Sequence, residues 1–276
     1  MKIILRTAKI IDSKSPFHNT TVDIMIVDGV IEKIAGSLPS EEGIQEIVLD
    51  NLHVSEGWFD SSVSLGEPGF EDRESITNGL TVAAKSGFCG IALQPNSYPI
   101  IDNQSQVNFV RNKANGHATA LYPIGALTKE AQGQDMAELY DMKKAGAVAF
   151  GDYNRSLENA NLLKIALQYV QDFDSLVITF PQDEKIKGHG VANEGAVSTR
   201  LGLKGIPNLA EEIQIARNLF LLEYTGGKLH IPTISTAKSV ALIKEAKAKG
   251  LSVSCSVAVH HLVLTDEKLE GFDTRF

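Results

Sequence analysis

The spacing of apolar and polar residues changes once along this chain. Up to about residue 53 the apolar positions fall in short Ile- and Val-rich runs, at 2–5, 22–27 and 30–34, which predict β-strands. Asp28-Gly29 between the last two is a two-residue hairpin turn. A further strand is expected at 46–49. Together these runs predict a small β-sandwich-like module over residues 1–53, with little room for an active site of its own.

From Gly57 onward apolar runs alternate with amphipathic stretches. Helical spacing marks 74–85, 105–115, 136–145, 157–170, 209–224 and 236–249, and Gly87 and Gly250 supply C-terminal stops for the first and last. Strands are expected at 88–93, 120–124, 147–150, 175–180, 228–231 and 251–257. Strands alternating with helices imply parallel β-α units. About six units in line favour an α/β fold of the (β/α) TIM-barrel type over residues 54–276. A closed barrel takes about 250 residues, more than this stretch offers, so the barrel is expected to be incomplete at the C-terminus.

Composition narrows the class. The 276 residues are 43% hydrophobic and 22% charged, with a formal net charge of −8, as in an ordinary globular protein. The acidic balance argues against nucleic acid or an anionic membrane surface as a partner. No apolar run approaches the roughly 20 residues of a membrane helix. A charge at Lys2 and another at Arg6 argue against a signal peptide. Two cysteines, Cys89 and Cys255, make no disulfide framework, and a reducing cytoplasm is the expected location. Both lie inside apolar strands, where inert cysteines belong.

In a β/α barrel chemistry gathers where strands end. Those positions are residues 60–67, Pro95-Asn96, Asp152, Gln182-Asp183, His230 and His260-His261. A hydrolytic metal site needs several His, Asp or Glu donors converging. Of the seven histidines, His18, His53 and His117 read as surface or packing residues, and His189 as part of a Gly-rich loop. His260 and His261, if on a strand, point to opposite sides, so at most one faces the barrel mouth. His230 reads equally as a core histidine satisfied by a backbone carbonyl. Trp58 and Phe59 read as core. There is no Gly-x-Ser-x-Gly elbow, P-loop or Gly-x-Gly-x-x-Gly.

The segment Gly57-Trp58-Phe59-Asp60-Ser61-Ser62-Val63-Ser64-Leu65-Gly66-Glu67-Pro68-Gly69 resembles Pro-Gly-Phe-x-Asp-x-His-x-His-Leu-Arg-Glu-Pro-Gly of the dihydroorotases, amidohydrolase-superfamily enzymes, in their long bacterial form. Further similar segments are Pro95-Asn96-Ser97-x-Pro99, the stretch from Glu194-Gly195 through Gly205-Ile206-Pro207 to Ala210-Glu211, then Ser235-Thr236 and His260-His261-Leu262. The resemblance runs through essentially the whole chain. It implies an amidohydrolase barrel and reversible hydrolysis of the cyclic amide of dihydroorotate on a zinc centre.

Where the family has metal-binding histidines, this chain has Ser62, Ser64, Phe180 (Pro181 if the register shifts by one) and Thr233. The substrate arginine aligns with Gly66. Asp152 matches an acidic position that can bridge two metals, and alone it would hold a cation only weakly. Asn96 matches a substrate-contacting asparagine. The strand-eight Asp that acts as general base has no counterpart before Phe276. A continuation past Phe276 is expected, and it would also complete the small β-module. Zinc is therefore not expected to be held here.

The pattern implies a non-catalytic dihydroorotase-like protein of pyrimidine biosynthesis, a homodimer, serving as assembly partner of aspartate carbamoyltransferase. The alternative is an active cyclic amidohydrolase on a rebuilt site of Asp152, Asp183, His230 and one of His260 or His261.

Overall fold

The computed structural model describes residues 1–40 and 42–275. It divides into two compact units, Met1–Trp58 and Phe59 onward.

The first unit is a five-stranded sheet of β1 (Lys2–Ile11), β2 (Thr21–Val27), β3 (Val30–Ala35), β4 (Gln45–Ile47) and β5 (His53–Ser55), in the order β3-β2-β1-β4, with β5 alongside the far half of β1. Asp28 and Gly29 both take positive φ and join β2 to β3 as the hairpin spacing predicts. Its small core is Ala8, Ile10, Val22 and Ile24. At a bulge in β1, Arg6 donates to Asp23 at 2.7 Å and to Glu46, while the Asp23 carboxylate also accepts from Thr7 and Leu38 backbone N–H. Every group of that network has a partner, as burial requires.

The second unit carries the β/α alternation: β6 (Trp58–Val63), α1 (Ile76–Lys85), β7 (Phe88–Leu93), α2 (Gln104–Lys113), β8 (Ala120–Gly125), α3 (Leu139–Ala145), β9 (Ala149–Phe150), α4 (Ala160–Tyr169) and β10 (Leu176–Ile178). After a short excursion follow α7 (Leu209–Thr225), β13 (Leu229–Ile231), α8 (Ala237–Ala248) and β14 (Val253–Cys255). The excursion holds α5 (Glu184–Lys187), β11 (Ala192–Asn193), α6 (Ala196–Leu201) and β12 (Gly205–Ile206), in which β11 and β12 pair with each other. None of these four short elements has enough residues to show a period in the sequence.

The main sheet has seven strands in the order β14-β13-β10-β9-β8-β7-β6, with parallel pairing from β7 through β14. Neighbours in sequence are neighbours in space, the arrangement of a β/α barrel opened along one side. Strand alternation sorts the side chains. Ile91, Leu93, Val177, Leu229 and Ile231 meet the buried faces of the helices, and Ala92, Ile124, Ala149 and Ile178 form a smaller cluster. Among the described residues no helix is long and apolar enough to cross a membrane.

Three expectations need correction. The strand count is seven rather than about six, because Asp60-Ser61-Ser62 fills the middle of β6 and leaves no apolar run to betray it. Trp58 and Phe59 are not core: they are 67% and 53% exposed on an edge strand, where Phe59 packs edge-to-face on Tyr122 across Gly90. Cys89, although inside β7 and on the same face as the buried Ile91 and Leu93, is exposed, because it lies near the strand's open N-terminal end, and Cys255 is half-buried.

Candidate functional site

The C-terminal ends of the strands form the mouth, and there the side chains bind one another. Ser62, on β6, accepts from Gln94 Nε2 at 3.0 Å, and Gln94 is buried at the end of β7. Two residues farther along each chain, Ser64 accepts from Asn96 Nδ2 at 2.8 Å. Asn96 Oδ1 is buried without a hydrogen-bond partner among the described residues.

Gly66 follows in a tight loop. Its N–H donates to the Glu74 carbonyl, and a Cβ here would collide with the Phe70 carbonyl oxygen and come within 2.8 Å of Glu74 O. The loop thus has no room for the arginine that the resemblance places at this position. A different arginine, Arg73, reaches the same spot from seven residues on. Its Nη2 donates to Leu65 O at 2.6 Å and to Ser64 Oγ at 3.2 Å. Arg73 and Arg155 both line a cavity of about 1020 Å³ that also includes Asn96 and Asp152. Sequence reading missed both arginines, because neither lies at a strand end or in a recognisable spacing.

Asp152 is 7% exposed. Its Oδ1 accepts from the backbone N–H groups of Leu127 and Thr128 at 2.9 and 3.0 Å, and its Oδ2 from Thr128 Oγ1 at 2.6 Å. Burial pushes its carboxyl above the usual range, against the pull of the Thr128 and Leu127 hydrogen bonds. Both oxygens are committed to the loop after β8. Thr128 Oγ1 in turn accepts from Gly133 N–H, so the carboxylate anchors that loop.

The other candidate ligands are similarly engaged. Asp183 caps α5, accepting from Lys185 and Ile186 N–H. His230 is satisfied by two serines of the next strand rather than by a carbonyl: Nδ1 lies 2.8 Å from Ser254 Oγ and Nε2 3.2 Å from Ser256 Oγ. Burial lowers its basicity. His260 and His261 sit on a single 3-10 turn (Val259–Leu262), not on a strand. Strand alternation therefore does not separate them, and both line a cavity of about 410 Å³ together with Phe180 and Thr233. Their rings meet edge-to-face at 4.4 Å. Thr233 holds a left-handed backbone, φ +49°, unusual for a β-branched residue.

Zinc, which the resemblance implies, takes four ligands drawn from imidazole, thiolate and carboxylate. Among the described residues no three His, Cys, Asp or Glu side chains are grouped to hold a cation. At the aligned positions stand two hydroxyls that accept from amides, a phenyl ring and a threonine. This donor set does not fit zinc. Nor are Asp152, Asp183, His230 and His260 or His261 brought together as a rebuilt set.

A family model described as dihydro-orotase-like matches residues 53–239. The chain is 42% identical to a dihydroorotase of Pelotomaculum thermopropionicum over 99% of its own length, and 38% identical to one of Citrifermentans bemidjiense over 99%. It spans 64% and 65% of the length of these relatives. Among solved structures, its fold matches an L-hydantoinase (dihydropyrimidinase) from Arthrobacter aurescens with a TM-score of 0.77 at 19% identity, over 98% of this chain and 61% of that one. A D-hydantoinase from Bacillus sp. AR9 gives 0.74 at 17%, over 96% and 59%. At such identities the match establishes the fold, an α/β half-barrel of the TIM kind.

Proposed function

The chain belongs to the dihydro-orotase-like family, and from that premise we propose that it is a non-catalytic member acting in pyrimidine biosynthesis through a partner. The observation that carries this reading is the pair of contacts Ser62–Gln94 and Ser64–Asn96. Where a metal-dependent hydrolase needs imidazoles open to a cation, these side chains satisfy one another. Gly66 supports it, since its loop cannot admit the substrate arginine. Without a Lewis acid, neither polarisation of the amide carbonyl nor activation of water is provided for.

The role left to such a scaffold is assembly. The partner in this reading is aspartate carbamoyltransferase, whose product is the open-chain form of dihydroorotate. The working form is a cytoplasmic homodimer that binds the transferase. The 1020 Å³ cavity, with its guanidinium groups and the unpartnered Asn96 oxygen, is a remnant of the substrate site in this account. The rival reading, an active cyclic amidohydrolase, lacks an assembled set of metal-binding side chains among the described residues.

Two measurements on one preparation test the proposal. Turnover of dihydroorotate and of N-carbamoyl-aspartate is followed with and without added zinc, and complex formation with aspartate carbamoyltransferase is followed by native mass spectrometry. The expected outcome is no turnover in either direction and a stable complex. Turnover at an ordinary enzymatic rate, or failure to bind the transferase, would overturn it.

A further inference from the structure

The mouth holds one arrangement that the family reading does not use. His230 on β13 lies between two serines of the neighbouring strand segment, with Nδ1 2.8 Å from Ser254 Oγ and Nε2 3.2 Å from Ser256 Oγ. Parallel pairing of His230 with Ser254 creates this, because residues two apart on a strand share a face. Ser256 N–H donates to Ile231 O, and Ser256 O accepts from Ile234 N–H, so the backbone of the outer serine is held on both sides. Ser256 lines a cavity of about 490 Å³ whose apolar residues include Phe180, Pro232 and Val257 and whose polar ones include Asp60, Gln94 and Asn154. His230 does not line that cavity. A serine lining a cavity, an imidazole within hydrogen-bond reach of its hydroxyl, and a third group on the far ring nitrogen make up the signature of an activated nucleophile.

The geometry points to a serine acyl-transfer site, with Ser256 as nucleophile, His230 as general base and Ser254 as the positioning residue, acting on short, uncharged carboxylic esters. Its cavity is also lined by Ser62, Phe180 and Thr233, which align with the family's metal ligands, but the reaction uses no metal; the proposed function denies only dihydroorotate hydrolysis, so the two stand or fall separately. Ser254 accepts the Nδ1 proton of His230, which leaves Nε2 to accept from Ser256. Ser256 Oγ attacks the ester carbonyl carbon while its proton passes to Nε2. The C–O bond to the alcohol then breaks, and the alcohol leaves with that proton. Water, deprotonated by the same imidazole, cleaves the acyl-serine, releasing the carboxylic acid and restoring both side chains. The backbone N–H of Thr233, which donates to Ser256 Oγ at 3.4 Å before reaction, would turn to the carbonyl oxygen as it becomes charged. Phe180, Pro232 and Val257 in the lining favour a short apolar acyl chain, and Asp60 there disfavours an anionic one.

The test is labelling of the whole chain with a fluorophosphonate probe, with the site mapped by peptide mass spectrometry, alongside p-nitrophenyl acetate hydrolysis. The expected result is label on Ser256, with at least a tenfold loss of both label and hydrolysis in Ser256→Ala and in His230→Gln. In Ser254→Ala the labelling rate should fall while KM for the ester is unchanged, and Ser254→Thr should restore it. Absence of label on Ser256 in the wild type overturns the proposal without appeal to any variant. Ester hydrolysis that persists in a folded Ser256→Ala does the same.

Discussion

Asn96 donates its side-chain N–H to Ser64 Oγ at 2.8 Å across 32 residues of sequence. That bond joins the end of the first barrel strand to the loop after the second, at a position where the family resemblance places a metal ligand. Arg73 donates to the same serine oxygen. A hydroxyl can satisfy both donors at once, while an imidazole there would have one acceptor nitrogen to share.

Replacing Ser64 by Ala should therefore act on the fold. It leaves the Asn96 amide without its acceptor, and the cost should be about 1–2 kcal/mol. Urea denaturation of wild type and variant side by side measures it; an unchanged midpoint would show that the contact does not hold the two loops together.

Restoring an arginine at position 66 should not restore a substrate grip. Any side chain there meets the Phe70 and Glu74 carbonyls, so Gly66→Ala should already cost about 1–3 kcal/mol. Gly66→Arg should cost more and gain no dihydroorotate turnover with zinc added. A stable Gly66→Arg variant would mean that the loop rearranges readily.

Removing the Asp152 carboxylate should release the loop after β8. Asp152→Ala strands the Leu127 and Thr128 N–H groups in a buried place, a loss of about 2–4 kcal/mol. Asp152→Asn keeps an acceptor for those two groups and should lose less. Thermal unfolding distinguishes them, and faster amide hydrogen exchange at Thr128 and Gly133 in Asp152→Ala is the local sign.

The Arg6–Glu46 pair sets an acid limit for the first unit. Hydrogen bonding to Arg6 draws the Glu46 carboxyl down from 4.5 to about 2. The folded state then binds this proton less readily than the unfolded chain. Its contribution to stability is present above the unfolded value of 4.5 and is lost as pH falls toward about 2. Asp23 behaves in the same direction: burial works to raise it, but the Thr7 and Leu38 N–H groups and Arg6 together lower it. In Glu46→Gln the acid transition of this unit should flatten across that window. Equal pH profiles for variant and wild type would place the acid sensitivity elsewhere.

How far the sequence could be read depended on how far apart the interacting residues lie. The Asp28-Gly29 turn was legible because a two-residue hairpin demands positive φ at both positions, and both show it. The helices were legible from their 3.6-residue period, with ends within about three residues of those observed. The strand Trp58–Val63 was not counted, because its polar run Asp60-Ser61-Ser62 looks like a loop until a neighbour pairs with it.

For the site, the sequence alone determined which donors are present: serine, serine, phenylalanine and threonine at the positions where the family resemblance places histidines. It also placed Asn96, Asp152 and His230 at strand ends, because alternation within a short segment is a local property. It could not show that Arg73 reaches Ser64, that Asp152 spends both oxygens on Thr128 and Leu127, or that His230 stands between Ser254 and Ser256. Those contacts depend on the register between strands and on loops that double back. Register is a tertiary quantity, set by the burial of whole faces, so only the folded structure decided which of the available groups meet.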